Sequence, residues 1–138
     1  MNSTNSIRRI AACVLMSALL AAGSALPSAA SQLKTVLAES LANAPGKNMT
    51  AITVTFAPDE KSPRHRHAGS VFVYVLSGAV RSENSATGPV RIYQAGESFF
   101  EPPGSVHVIS ENASATEPAV LLTVFVADAG AQLTTVDK

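Results

Sequence analysis

Glycine and proline break this chain so often from residue 43 onward that no long packed helix can form there. Asn43-Ala44-Pro45-Gly46, Pro58 to Pro63, Ser77-Gly78, Asn84 to Pro89, Ala95-Gly96 and Pro102-Pro103-Gly104 leave between them only pieces of ordinary strand length. The composition of those pieces agrees. Met49 to Phe56 alternates, with Ile52, Val54 and Phe56 on one face and Ala51, Thr53 and Thr55 on the other, the pattern of a half-buried strand. Val71 to Leu76 is a continuous apolar run. Ala79 to Arg81, Val90 to Tyr93, Ser98 to Glu101, Val106 to Ser110 and Ala119 to Val126 read as further strands. Gln32 to Leu41 fits a short helix or a first strand equally well, and the tail after Asp128 reads as frayed. Seven or eight short strands, with no internal repeat and no second domain, predict an all-β sandwich or barrel. A barrel of this size holds one small ligand near its mouth.

The N-terminal segment has a different character. Arg8 and Arg9 precede an almost wholly apolar stretch from Ile10 to Leu26, and small residues follow in Pro27-Ser28-Ala29-Ala30. A basic start, a short apolar centre and a small-residue exit are the marks of a secretory signal peptide. The apolar part falls short of the ~20 residues that a spanning helix requires. Cleavage is expected after Ala30, with Ala25 the second choice. The chain then divides into a signal peptide over residues 1–30 and a domain over residues 31–138. That domain is predicted to be periplasmic or secreted and to have no membrane association once cleaved. Arg8-Arg9 is a twin-arginine pair in surroundings that match that signal poorly, which leaves Sec export as the default.

Loss of this segment leaves eight basic and ten acidic residues, a net charge of −2. A mildly acidic domain without a basic stripe has no electrostatic basis for binding nucleic acid. Cys13, the one cysteine, leaves with the signal peptide. Any metal site in the remainder must therefore use histidine or oxygen donors.

The domain has three histidines. His65 and His67 are two apart on a predicted strand, so both rings point to one face. His107 follows forty residues later, just past Pro102-Pro103-Gly104, on another predicted strand. Taken alone, the pair and the single histidine are weak signals. Their surroundings add to them. Asp59, His65-Arg66-His67, Val71 and Gly78 follow the spacing G-x5-H-x-H-x3-E-x6-G. Gly96, Pro102, Gly104, His107 and Glu111 follow G-x5-P-x-G-x2-H-x3-N, with Asn112 one place late. In these residues the chain resembles the cupin family, in its small single-domain form. The resemblance implies a jelly-roll β-barrel, usually a homodimer, with a metal ion in the barrel mouth ligated by His65, His67 and His107. It leaves the reaction open, because one fold serves many chemistries.

The departures matter as much as the matches. Val71 stands where the family usually carries a glutamate ligand, and valine cannot donate to a metal. Three neutral imidazoles remain, which suit Fe, Mn, Zn, Ni or Cu without selecting among them. A divalent ion there is expected to keep its full charge, to hold open coordination positions and to attract a chelating or anionic substrate. In this family such centres occur in dioxygenases. Asp59, in place of the first motif glycine, concerns only a turn. Val71, Val73, Phe99 and Glu101 are expected around the substrate pocket, although Glu101 beside Pro102 reads first as a solvated edge residue and only second as a substitute ligand or general base. Arg66 alternates away from the ligands as a surface charge. Two functions follow: a metal-dependent enzyme of dioxygenase or lyase type, or a non-catalytic small-molecule or metal-binding protein, metal-free if valine at position 71 in place of the usual glutamate ligand abolishes metal affinity.

Overall fold

The computed structural model describes residues 31–138; the predicted signal segment and its cleavage sites lie outside them. Ten strands and no helix make up the described residues. They are β1 (Gln32–Ser40), β2 (Lys47–Phe56), β3 (His65–His67), β4 (Ser70–Ser77), β5 (Ala79–Asn84), β6 (Gly88–Gln94), β7 (Ser98–Glu101), β8 (Val106–Asn112), β9 (Ala119–Asp128) and β10 (Thr134–Val136). The segment from Gln32, left open between helix and strand, is β1; it pairs antiparallel with β2.

Two five-stranded sheets face each other, ordered β1-β2-β9-β4-β7 and β10-β3-β8-β5-β6. The inner faces of the two sheets differ in chemistry. Along β4, Val71, Val73 and Val75 point inward and Phe72, Tyr74 and Leu76 outward. Along β9, Ala119, Leu121, Thr123, Phe125 and Ala127 point inward. Phe56, Val71, Val73, Val75, Ala119, Leu121 and Phe125, with Val80 from the second sheet, make the apolar core, each large one contributing about 1.5–3 kcal/mol by burial. The second sheet turns His65, His67, Ser82, Asn84 and His107 to the interior, all buried. A polar inner face thus lies against an apolar one, and such a face is stable only if its polar atoms find partners. They do: among the described residues no buried side-chain nitrogen or oxygen lacks a hydrogen-bond partner.

Backbone geometry explains two motif positions. Gly78 has φ 71°, and a Cβ there would meet Ala119 Cα at 2.9 Å, so the turn from β4 to β5 needs glycine. Asp59, at the first glycine position of the motif, has φ 59° and takes the left-handed conformation that aspartate tolerates better than most residues.

The tail after Asp128 is ordered, contrary to the sequence reading. Thr134, Thr135 and Val136 of β10 pair with His67, Arg66 and His65 of β3. Asp137 then bonds Arg66 Nε at 2.9 Å and Arg64 Nε at 3.0 Å. A three-residue strand has little hydrophobic signal of its own, so its pairing with β3 was not visible in the sequence.

Candidate metal centre

The convergence of the histidines follows from strand register. β3 is only three residues long, and its alternation buries His65 and His67 while exposing Arg66. β3 pairs with β8 such that His65 and His107 are direct cross-strand partners. Residues so paired carry Cβ atoms about 5 Å apart on one face. The His65 ring centroid accordingly lies 4.7 Å from that of His67 and 5.0 Å from that of His107. One nitrogen from each of the three rings lies within 4.8 Å of the others.

Two rings are fixed by the backbone. His65 Nδ1 donates to the Pro63 carbonyl at 2.7 Å, and His67 Nδ1 donates to the Leu133 carbonyl at 3.0 Å. Both bonds leave the Nε2 lone pair free, as a metal-binding imidazole requires. Burial lowers the pKa of both rings below the ordinary histidine value, although the Pro63 carbonyl opposes it for His65 and the Glu101 charge for His67. Both stay neutral to more acidic pH than a solvated imidazole. His107 Nε2 lies 2.8 Å from Ser82 Oγ, and its Nδ1 faces Glu101.

Glu101 is not a solvated edge residue. It is 2% exposed. β7 alternates, so Phe99 and Glu101 point inward and Phe100 outward. Pro102, directly after Glu101 at the end of a four-residue strand, hides this parity in the sequence. Glu101 Oε1 lies 3.1 Å from His107 Nδ1, and Oε2 lies 3.9 Å from His67 Nε2. Asn84 Nδ2 donates to Oε2 at 3.1 Å and to Ser105 Oγ at 2.9 Å. Burial alone would raise the Glu101 carboxyl, but the hydrogen bond and charge of His107, with His67 and His65 behind them, outweigh it. The carboxyl is held below its ordinary range. The centre is therefore not purely neutral: a buried anion offsets part of the charge of any cation there.

The histidines and Glu101 border a pocket of about 360 Å³. Ile52, Val54, Phe56, Val73, Phe99, Leu121 and Phe125 make its apolar walls, and no lysine or arginine is among its described lining residues. Val73, Phe99 and Glu101, three of the residues expected around the substrate, touch this space. Val71 does not: at 0% exposure it is sealed behind the wall. Arg66 lies outside. Ser82, Asn84 and Leu133 were not singled out from the sequence. The period-2 spacing of Val80, Ser82 and Asn84 carried a signal for the first two, masked because Asn84 opens a turn-rich stretch.

The donor set fits a divalent transition metal. Three imidazoles, two with Nδ1 held by a carbonyl, stand beside one hydrogen-bonded carboxylate, and they leave space on the pocket side.

Comparison with known proteins decides the family. The cupin domain family matches residues 52–125, more than half of the chain, spanning both motifs and all three histidines. The chain is a cupin. Its architecture is shared by solved structures. A cupin-like protein from Thermotoga maritima is 20% identical over 78% of this chain and 75% of its own, with a TM-score of 0.61. The DMSP lyase DddQ from Ruegeria pomeroyi DSS-3 is 19% identical over 64% of this chain, with a TM-score of 0.56, and this cupin spans only 42% of it. Oxalate decarboxylase from Bacillus subtilis, a protein with Mn(II) centres, is 28% identical over 64% of this chain and 23% of its own, with a TM-score of 0.53. No curated protein matches in sequence.

Proposed function

We propose that this cupin is an exported, metal-dependent enzyme of lyase or dioxygenase type acting on a small chelating molecule. His65, His67 and His107 hold one divalent transition metal. The observation that carries the reading is the placement of three converging ring nitrogens on the wall of an otherwise apolar pocket. A structural barrel has no use for such an arrangement, which costs core packing. Bound there, the metal supplies Lewis acidity toward a chelating group. The chain's own residues exclude water and orient the substrate. Phe99, Leu121 and Phe125 wall the pocket on the side of the first sheet, and the Phe125 ring centroid lies 5.2 Å from that of His67.

Charge narrows the substrate. The pocket carries the Glu101 anion and, among its described lining residues, no lysine or arginine, so a dianion meets one repulsive group and no fixed positive charge beyond the metal. The substrate class is a molecule with one chelating end, at most one negative charge and an apolar body. The fold is shared with a DMSP lyase and with a decarboxylase holding Mn(II), which supports metal chemistry on small molecules. Export rests on the basic, apolar and small-residue order of residues 8–30. A homodimer is supported by Phe72, Tyr74, Leu76 and Phe100, apolar and exposed together on the outer face of β4 and β7. A second reading, binding without turnover, is favoured by Val71 in the usual glutamate position.

Alkyl hydroxamates, which are bidentate and at most singly charged, test the pocket. They should bind the Mn²⁺-loaded protein more tightly as the alkyl chain lengthens, and more tightly than oxalate does. Equal binding to the metal-free protein, or a preference for oxalate, would overturn the reading.

A further inference from the structure

We propose that Glu101 is a metal ligand, so that the carboxylate missing at Val71 is supplied from the adjacent strand. The inference rests on the metal-binding reading above and deepens it.

Register is the first support. β4 and β7 are antiparallel, and Val71 is the direct cross-strand partner of Glu101. Directly paired residues point to the same face with Cβ atoms about 5 Å apart, close enough for one side chain to reach the space its partner would fill. Valine is short and stops in the core. Glutamate is longer and continues to the histidines.

Distance is the second. Donors bound at about 2.1 Å lie about 3 Å apart when adjacent around an octahedral ion and about 4.2 Å apart when opposite. Glu101 Oε1 lies 3.1 Å from His107 Nδ1, and Oε2 lies 3.9 Å from His67 Nε2. Both separations fall within that span; the donor atoms that lie within 4.8 Å of one another are those of the three histidines, so Glu101 closes on the His65 side by a side-chain rotation.

The third is the outer support. Asn84 Nδ2 donates to Oε2, and Asn84 Oδ1 accepts from the Ala86 amide. Ligating carboxylates are commonly held in this way by a hydrogen bond to one oxygen. Oε1 is left toward His107 Nδ1, on the side of the three converging rings. His107 keeps its orientation through Ser82 on the other nitrogen.

A positioning role would leave Glu101 merely accepting from His107. Glutamine preserves that acceptor but removes the charge and most of the ligating power. The full chain should be titrated with Mn²⁺ by calorimetry and with Co²⁺ by visible absorption, as wild type, Glu101→Gln, and the exchange Val71→Glu/Glu101→Val. Expected are a loss of Mn²⁺ affinity of about 100-fold in Glu101→Gln, an altered Co²⁺ spectrum, and recovery to within about tenfold of wild type in the exchange variant. Wild type and Glu101→Gln binding Mn²⁺ alike with unchanged Co²⁺ spectra would overturn this proposal and leave the three-histidine reading standing. Wild type that takes up neither ion would overturn both. If Glu101→Gln fails to fold, the exchange variant decides: folded protein without recovered Mn²⁺ binding also overturns the proposal.

Discussion

Val71 and Glu101 are direct partners across the β4–β7 pair, and both side chains point into the barrel. The two positions share one space in which the chain carries a single carboxylate. That pairing sets what each position tolerates.

Val71→Glu alone places a second carboxylate opposite Glu101 in a sealed interior. In metal-free protein it should lower unfolding stability by about 3 kcal/mol at neutral pH. The loss should shrink below pH 5, as one of the two acids takes up a proton. Adding Glu101→Val should recover most of the stability. Urea unfolding of the three variants checks this, and additive effects would contradict it.

The acid limb of stability should come from the histidines. His65 and His67 have folded-state pKa values below 6.5, so below that pH the unfolded chain binds more protons than the folded one. Stability should therefore fall as pH drops from 7 toward 5. Glu101, whose carboxyl is held below 4.5, adds stability that is lost at still lower pH. Melting temperatures of the metal-free protein should show the decline between pH 7 and 5, and His67→Gln should flatten it. The same slope in both proteins would contradict the assignment.

Gly69 joins β3 to β4 where the chain passes β9. A Cβ there would lie 2.7 Å from both Ala127 Cα and Ala127 Cβ, closer than such atoms approach. Gly69→Ala should cost about 3 kcal/mol in chemical unfolding. A variant within 0.5 kcal/mol of wild type, by the ordinary ~0.5 kcal/mol range of surface changes, would show that the strand junction yields freely.

Phe100 is 48% exposed beside Phe72, its cross-strand partner on the outer face. If that face is covered by a second copy, wild type should sediment as a dimer. Phe72→Ser with Phe100→Ser should then give a monomer of unchanged metal content. A monomeric wild type would refute the dimer.

The fold was legible because alternation and turn residues are local signals. Met49 to Phe56 showed both of its faces, and the two histidine motifs fixed which strands carry the site. What escaped were features decided by pairing at a distance. Gln32 to Ser40 is largely exposed and shows no clear period, yet it is a strand because β2 offers it an edge. The segment after Asp128 is polar and short, yet Leu133 and Thr134 lie against His67 because β3 lacks a partner on that side. The burial of Glu101, expected at the pocket but read first as a solvated edge residue, escaped for a different reason. Buried carboxylates are rare, and its compensation by His107 and Asn84 comes from two other strands.

The central claim is that His65, His67 and His107 hold one metal ion, and elemental analysis tests it most directly. Protein incubated with Mn²⁺, Fe²⁺, Zn²⁺, Ni²⁺ or Cu²⁺ and then desalted should retain about one ion per chain as wild type and almost none as His65→Ala or His107→Ala, since loss of a ligand costs at least the ~10–100-fold in affinity seen for outer-shell partners. A wild type that emerges metal-free, or histidine variants that retain a full equivalent, would contradict it.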